Sequence, residues 1–340
     1  MSSICHRSCD TCNMQLHCQG CSYCEMPLCK KDCFQCFSLC PCRGGSFAHL
    51  KALGGGEVQL LGNDRYNLPN HIPILPDRLT EPLKVNEVIG VHSGNMFSSN
   101  GEKINPRFKD QTLQQVLGIE NPVEGVLEFY IKDRTLEGFW DKRAEIYPEL
   151  ARFKWRAVIA PNFSVYEDAP RVDHLYNMKR SSIVYNEMIQ HGLPAVPDIS
   201  WYNQIDLDQW IREINTNKVQ TISFSFQVVD TRLKASNLWK HYLMGFKYLC
   251  QRIGDVQIVV AGVVSPDRLK AIAKAAGGKR IIILNQTAYL QSRRGIFSST
   301  GYKAPSNMSK NEILLQNLSY YDERYKENNW EGETDAENEK

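Results

Sequence analysis

A chain of 340 residues with 42% hydrophobic and 23% charged residues has room for one large globular domain or two smaller ones. Its formal charge of +2 hides an asymmetry: residues 322–340 carry eight acids against three bases, a net −5, so the rest of the chain is +7. No run approaches the roughly 18 apolar residues that span a bilayer, which excludes a membrane-spanning helix, and +7 spread over so long a body is too dilute to establish nucleic-acid binding by charge alone.

The amino-terminal segment is dominated by thiols. Eleven of twelve cysteines fall within 42 residues: Cys5, Cys9, Cys12, Cys18, Cys21, Cys24, Cys29, Cys33, Cys36, Cys40 and Cys42. The set Cys5, Cys9, Cys12 and Cys18 recurs 24 residues later as Cys29, Cys33, Cys36 and Cys42, so one C-x3-C-x2-C-x5-C unit is written twice. Cys21, Cys24 and Cys40 form an interleaved third set, with His6 and His17 nearby as further ligands. So short a module, residues 1–45, cannot bury a core of its own and needs metal or disulfides to fold. No apolar stretch of signal-peptide length precedes the cysteines, so a cytoplasmic, reducing setting is expected, with metal rather than disulfides.

The ligand spacing favours iron–sulfur chemistry. Cys18, Cys21 and Cys24 make the C-x2-C-x2-C ladder that wraps three corners of a cubane in bacterial-type ferredoxins. Two or three [4Fe–4S] clusters are the leading expectation. Zinc stays open, because eleven cysteines and one histidine would fill three tetrahedral sites. The C-x3-C-x2-C triplet is also that of radical-SAM enzymes, and Gly54, Gly55, Gly56 and Glu57 stand where those often carry Gly-Gly-Glu. Only four residues precede Cys5, however, where that family places a strand, so the triglycine reads as a hinge after the head.

Residues 46–124 read as a linker and docking region, with Pro69, Pro73, Pro76 and Pro82 and one further strand near 88–91. From residue 125 the pattern becomes regular. Strands are expected at 127–131, 156–160, 194–200, 219–226, 256–264 and 280–284, with helices ending at 150 and spanning 169–191, 207–215, 235–252 and 267–276. Such alternation implies parallel pairing through right-handed crossovers, and the apolar strands imply cover on both faces. The predicted fold is α/β: parallel (β/α) repeats forming an incomplete or distorted barrel-like domain over 125–300. Residues 301–340 follow as an extension whose acidic tail has a disordered composition. Neither G-x-G-x-x-G nor G-x-x-x-x-G-K occurs, so a dinucleotide or P-loop site is not supported.

Ligands of such folds gather at the carboxyl ends of the strands. Those ends supply Asn162, Ser164, Tyr166 and Asp168, then Asp198, Ser200 and Trp201, then Ser225 and Asn285. Amides and hydroxyls dominate, Asp198, Glu167 and Asp168 are the acids close by, and no histidine or cysteine is among them. Each residue alone reads rather as a turn or helix cap, or as packing, than as a ligand. As a set at successive strand ends they suit hydrogen-bonded recognition of a polar ligand better than two-carboxylate catalysis. Phe163, Tyr166, Trp201 and Tyr202 offer faces for base stacking, with a place in the core as the alternative for Phe163. The basic pairs Lys179-Arg180 and Arg293-Arg294 read as solvated surface, and Cys250 as a core thiol.

Residues 158–170 (VIAPNFSVYEDAP), residues 193–201 (LPAVPDISW) and the serine-rich strand that follows resemble the domain-of-unknown-function family 4417, over residues 125–295 and leaving the cysteine head outside. The resemblance implies a setting in phages, plasmids and the bacteria that carry them, and brings no established activity. Members typically read Pro-Asp-Phe-Ser where this chain has Asn162, and acids often follow Ser-Trp where it has Tyr202, Asn203 and Gln204. An amide is neither a general base nor a strong anionic ligand. The expectation is therefore a metal–cysteine protein of a mobile element, iron–sulfur by preference, whose body binds a polar ligand such as nucleic acid. The alternatives are an iron–sulfur enzyme working by electron transfer or radical chemistry, and a zinc-stabilised module that docks a protein partner.

Overall fold

The computed structural model describes residues 46–166, 171–227 and 238–326; the cysteine head, Asp168 and the acidic tail beyond Lys326 lie outside the described residues. Eight strands run in one direction: β1 (His71–Pro73), β2 (Val88–His92), β3 (Glu124–Glu128), β4 (Trp155–Ile159), β5 (Ala195–Val196), β6 (Thr221–Ser225), β7 (Gln257–Ala261) and β8 (Ile281–Asn285). The α/β fold and parallel repeats are as expected. The ladder, however, does not close into one barrel. It divides into two four-stranded parallel sheets, ordered β1-β8-β7-β6 and β2-β3-β4-β5.

The sheets meet edge to edge at two seams, each an isolated parallel bridge: Ile74 with Gly90, and Asp198 with Ser223. At the first, Leu75 N donates to Gly90 O at 3.0 Å; at the second, Ile199 N donates to Ser223 O at 2.9 Å and Ser223 N to Pro197 O at 2.9 Å. Proline explains why neither seam is a full ladder, since it has no N–H to give. Pro194 and Pro197 flank β5 and cut it to two residues, where the sequence predicts seven at 194–200, and Pro73 and Pro76 bracket the end of β1. Glycine permits the first seam: a Cβ on Gly90 would stand 2.6 Å from Ile74 Cγ1. At the opposite end of the second seam, buried Asn63 acts as a clip. Its Nδ2 donates to Ala195 O (3.1 Å) and Thr221 O (2.8 Å), while Oδ1 accepts from Gln220 N (2.8 Å) and Thr221 N (3.1 Å).

The region read as a docking segment thus contributes β1, β2 and Asn63 to the frame. Core formation follows from the two-residue period of the strands. Val126, Ala157, Ile159, Val259, Ile282 and Leu284 face one cluster between the sheets, while their neighbours Leu127, Val158, Val260 and Ile283 pack outward. After the short helices α1 (Ser46–Ala52), α2 (Ser93–Met96) and α3 (Leu113–Leu117), the outer faces are covered by α4 (Asp133–Leu150), α5 (Arg171–Gln190), α6 (Gln204–Thr216), α7 (Leu238–Cys250) and α8 (Pro266–Ala276), each of these five close to its predicted span. Asn203 and Asp206 cap α6 reciprocally, and Asp206 also holds buried Arg171 of α5 in an ion pair. Gly54 and Gly55, the expected hinge, take positive φ values of 83° and 97° and end the short helix Ser46–Ala52, with Gly55 N bonded to Leu50 O at 3.0 Å. Helix Lys310–Tyr325 closes the described chain, packing Tyr321 and Tyr325 over the His71 ring. No described helix is long and apolar enough to cross a membrane.

Candidate functional site: a polar cleft at the carboxyl ends of β3 to β6

A cleft of about 230 Å3 opens where β3, β4, β5 and β6 end, with Tyr130, Asn162, Ser164, Ser200, Trp201 and Ser225 in its wall. The loop after β4 is held from both sides. Ser164 Oγ donates to Asp133 Oδ1 (2.7 Å) at the start of α4, Asn177 Nδ2 of α5 donates to Ser164 O (2.6 Å), and Phe163 N donates to Ser181 Oγ (3.3 Å). A wall so tied presents its polar groups in set directions.

Beneath the wall lies Asp198, 1% exposed. Asn162 Nδ2 donates to its Oδ2 at 2.9 Å and the Tyr130 hydroxyl to its Oδ1 at 3.2 Å; the same hydroxyl lies 2.9 Å from Ser223 Oγ. Burial pushes the Asp198 carboxyl up to about 6, against the hydrogen bonds from Asn162, Ser223 and Tyr130, with the charge of Glu128 adding to the rise. The Tyr130 hydroxyl is held well above the usual phenol range by the same burial and by Asp198.

A second titratable pair stands beside it. Glu128, at the last position of β3 and 2% exposed, hydrogen-bonds His92 Nδ1 at the last position of β2, and its other oxygen accepts from Tyr130 N at 2.6 Å. Burial opposes protonation of His92, but the hydrogen bond and charge of Glu128, with Asp77 further off, outweigh it and raise the imidazole above its usual value. The point where a Gly94 Cβ would sit is 2.7 Å from His92 Nε2 and 3.2 Å from Cγ2 of Ile131, a cleft-wall residue, so the imidazole edge and the cleft are neighbours. His92 is not among the strand-end residues expected from the sequence, because the strand near 88–91 falls in the region that reads as a docking segment and not among the barrel repeats. The signals were His92 closing the run Val88–His92, and a lone glutamate inside the apolar run ending at Phe129.

Of the predicted ligand residues, Asn162, Ser164, Ser200, Trp201 and Ser225 line the cleft and Asp198 sits under it. Tyr166 is 51% exposed, its hydroxyl turned to Asp133 and away from the lining. Asn285 ends β8 outside the cleft wall, where its Oδ1 accepts from Thr287 N at 3.0 Å. Asp168 and the eleven head cysteines fall outside the described residues.

The stacking expectation needs correction for two rings. Phe163 is buried, with the Arg180 guanidinium 4.0 Å from its centroid. Trp201 is 6% exposed and stacks on His241 at 4.6 Å; a Cβ on Gly245 of α7 would meet its ring at 2.2 Å. The pair Lys179-Arg180 is not solvated surface either. Lys179 Nζ donates to Glu57 O at 2.9 Å, and Arg180 forks onto Glu137. Arg293 and Arg294 are exposed, as read. Cys250 is buried, and burial pushes its thiol up to about 12. Among the described residues no three His, Cys, Asp or Glu side chains gather as a metal site, so the metal expectation rests on the head.

No curated protein matches the chain. One family model does, over residues 112–274, opening at the Thr112–Gln115 capping box and ending within α8, a shorter span than the 125–295 read from the motifs at its carboxyl side and a longer one at its amino side. The cleft residues from Tyr130 to Tyr242 all lie inside the match, and residues 112–274 of this chain match the model of the family described as Domain of unknown function (DUF4417).

Proposed function

We propose that this protein binds a polar ligand, a base of a nucleic acid, in the cleft at the ends of β3 to β6, and carries metal on its cysteine head, in iron–sulfur clusters rather than zinc. The two sheets act as an incomplete barrel whose mouth is the cleft, a reading supported by the two bridged seams. The observation that carries the binding site is the buried carboxylate of Asp198 under a wall of amide and hydroxyl groups. An ionisable group is retained in a core only at a cost in stability, and such costs cluster where a site needs them. At about 230 Å3 the cleft lies below the range that holds drug-sized ligands and suits one or two small rings. The mobile-element setting follows from the family resemblance.

Electrophoretic mobility shift with single-stranded oligonucleotides tests the reading, because phosphate contacts weaken steeply with salt whereas a seated base does not. Ser225→Trp, which fills the cleft, is expected to abolish the shift that survives at high salt; an unchanged shift refutes the cleft as the site. For the head, protein purified without oxygen is expected to be brown, with iron and acid-labile sulfide at roughly eight or more atoms per chain. A colourless protein with about three zinc ions refutes the cluster assignment.

A second reading is favoured by one specific observation. His92 and Glu128 form a dyad of the kind that moves protons, beside the same cleft. If the protein is an enzyme, His92 is its acid–base group, and His92→Gln removes turnover while leaving ligand affinity within about threefold.

A further inference from the structure

An asparagine side chain is ambiguous until something fixes which end carries the oxygen. At Asn162 that something is Asp198. The carboxylate takes Nδ2 of Asn162 at 2.9 Å on one oxygen and the Tyr130 hydroxyl at 3.2 Å on the other, so both of its oxygens act as acceptors and the amide nitrogen must face inward. Oδ1 of Asn162 is left on the cleft side with no hydrogen-bond partner among the described residues. Two hydroxyls in the same wall have the opposite character. Ser225 Oγ already accepts from Gln227 N at 3.1 Å, which leaves its proton to give. Ser200 Oγ is buried with no hydrogen-bond partner among the described residues, on a residue only 5% exposed. An unpartnered buried hydroxyl costs free energy until a ligand or water meets it.

The cleft therefore offers one acceptor whose direction is locked and two hydroxyl donors. We infer that it selects a planar ring bearing an N–H next to a carbonyl, the lactam or imide edge found in uracil, thymine, guanine and hypoxanthine, with Asp198 as the positioning residue that sets this preference. The ligand's N–H is given to Asn162 Oδ1, and the carbonyl oxygens beside it, two in an imide and one in a lactam, accept from Ser200 and Ser225 or from one of them. Cytosine and adenine, which have no ring N–H on their pairing edge, place a lone pair against Asn162 Oδ1 instead and are disfavoured. The preference is conditional on the ionised carboxylate. The groups facing it are Asn162 from the β4 loop, Glu128 from the end of β3 with Tyr130 just after it, and Ser223 from β6. Once protonated, Asp198 can donate to Oδ1, and the amide is free to turn its nitrogen outward.

This inference rests on the cleft being the binding site proposed above, and the experiment separates the two. Full-length protein, prepared without oxygen, is titrated calorimetrically at pH 8 with uridine, 3-methyluridine and cytidine. Uridine is expected to bind at least about tenfold more tightly than either analogue, the cost of one unmade hydrogen bond plus a repelled lone pair for cytidine or a clashing methyl for 3-methyluridine. Asp198→Asn, whose own amide can pair with Asn162 in either sense, is expected to narrow that ratio to about threefold or less. Equal binding of the three compounds by the wild type, or no binding of any, overturns the inference, and neither outcome depends on a variant folding. If Ser225→Trp abolishes binding while the three bind equally, the cleft stands and only its polarity was misread. If Ser225→Trp binds uridine with the ratio intact, the site is elsewhere and both readings fall.

Discussion

Replacing Asp198 by asparagine should make the protein more stable, although it removes one of the two acceptor oxygens on which the cleft wall is built. The carboxyl is pushed up to about 6 in the folded chain from an ordinary value of 3.8. For an acid with a raised folded value the folded state holds its proton more tightly than the unfolded one. Stability is then highest at low pH and declines as pH rises from about 4 to about 6, after which the loss is complete. Two pKa units correspond to roughly 3 kcal/mol. Asparagine resembles the protonated acid in shape and charge, so the variant escapes that loss. Variant and wild type should be equally stable near pH 4, diverge through pH 6, and differ by about 3 kcal/mol at pH 8, or about 5–10 °C in melting temperature for a domain of this size. The assay is urea unfolding of both proteins at each pH. Asp173, a buried carboxyl on α5 that burial pushes up to about 8 against the charge of Arg180, also titrates over this range, but it is common to both proteins and cancels in the difference. A difference that is flat with pH, or a variant less stable than wild type at pH 8, would show that burial does not dominate at Asp198 and would remove the argument that stability is surrendered there for function.

Asn63→Ala strips four hydrogen bonds from the second seam and should cost roughly 2–4 kcal/mol in urea unfolding; a loss below about 1 kcal/mol means water substitutes for the clip. Gly245→Ala drives a methyl into the Trp201 ring, predicting a loss of about 1–3 kcal/mol and a displaced cleft wall, read as weaker binding of the uridine used above; retention of both would put slack between α7 and the indole. His92 should titrate above its ordinary value by NMR, and Glu128→Gln should lower its midpoint. Because a raised histidine stabilises below its unfolded value and loses that contribution as pH rises through its folded value, the same substitution should cost more stability at pH 6 than at pH 9. An unmoved midpoint would mean that Glu128 does not hold the imidazolium.

The parallel α/β frame was readable in the chain because its evidence is local. Residues 256–264 and 280–284 are apolar almost throughout, as strands covered on both faces must be, and the helices between strands carry their own period and caps. The polar strand ends that became the cleft were readable for the same reason: Asn162 and Ser200 follow recognisable strands and Ser225 ends one, and parallel strands bring their ends together.

Three features were decided only when the chain folded. Whether eight strands make one ladder or two sheets depends on which N–H groups find partners across β1–β2 and β5–β6; Pro73, Pro76, Pro194 and Pro197 remove donors there, but a proline's effect on a seam is visible only once its neighbour across the seam is known. The His92–Glu128 pair joins residues 36 positions apart, which are adjacent because β2 and β3 are paired in register from Val88 with Glu124 to His92 with Glu128. The direction of the Asn162 amide is set by Asp198, also 36 residues away, through the neighbouring ends of β4 and β5. Composition and period act along the chain and so determined the class of fold. Hydrogen-bond direction and protonation act between strands, and they belong to the tertiary structure because only there does a polar group meet the partner that fixes it.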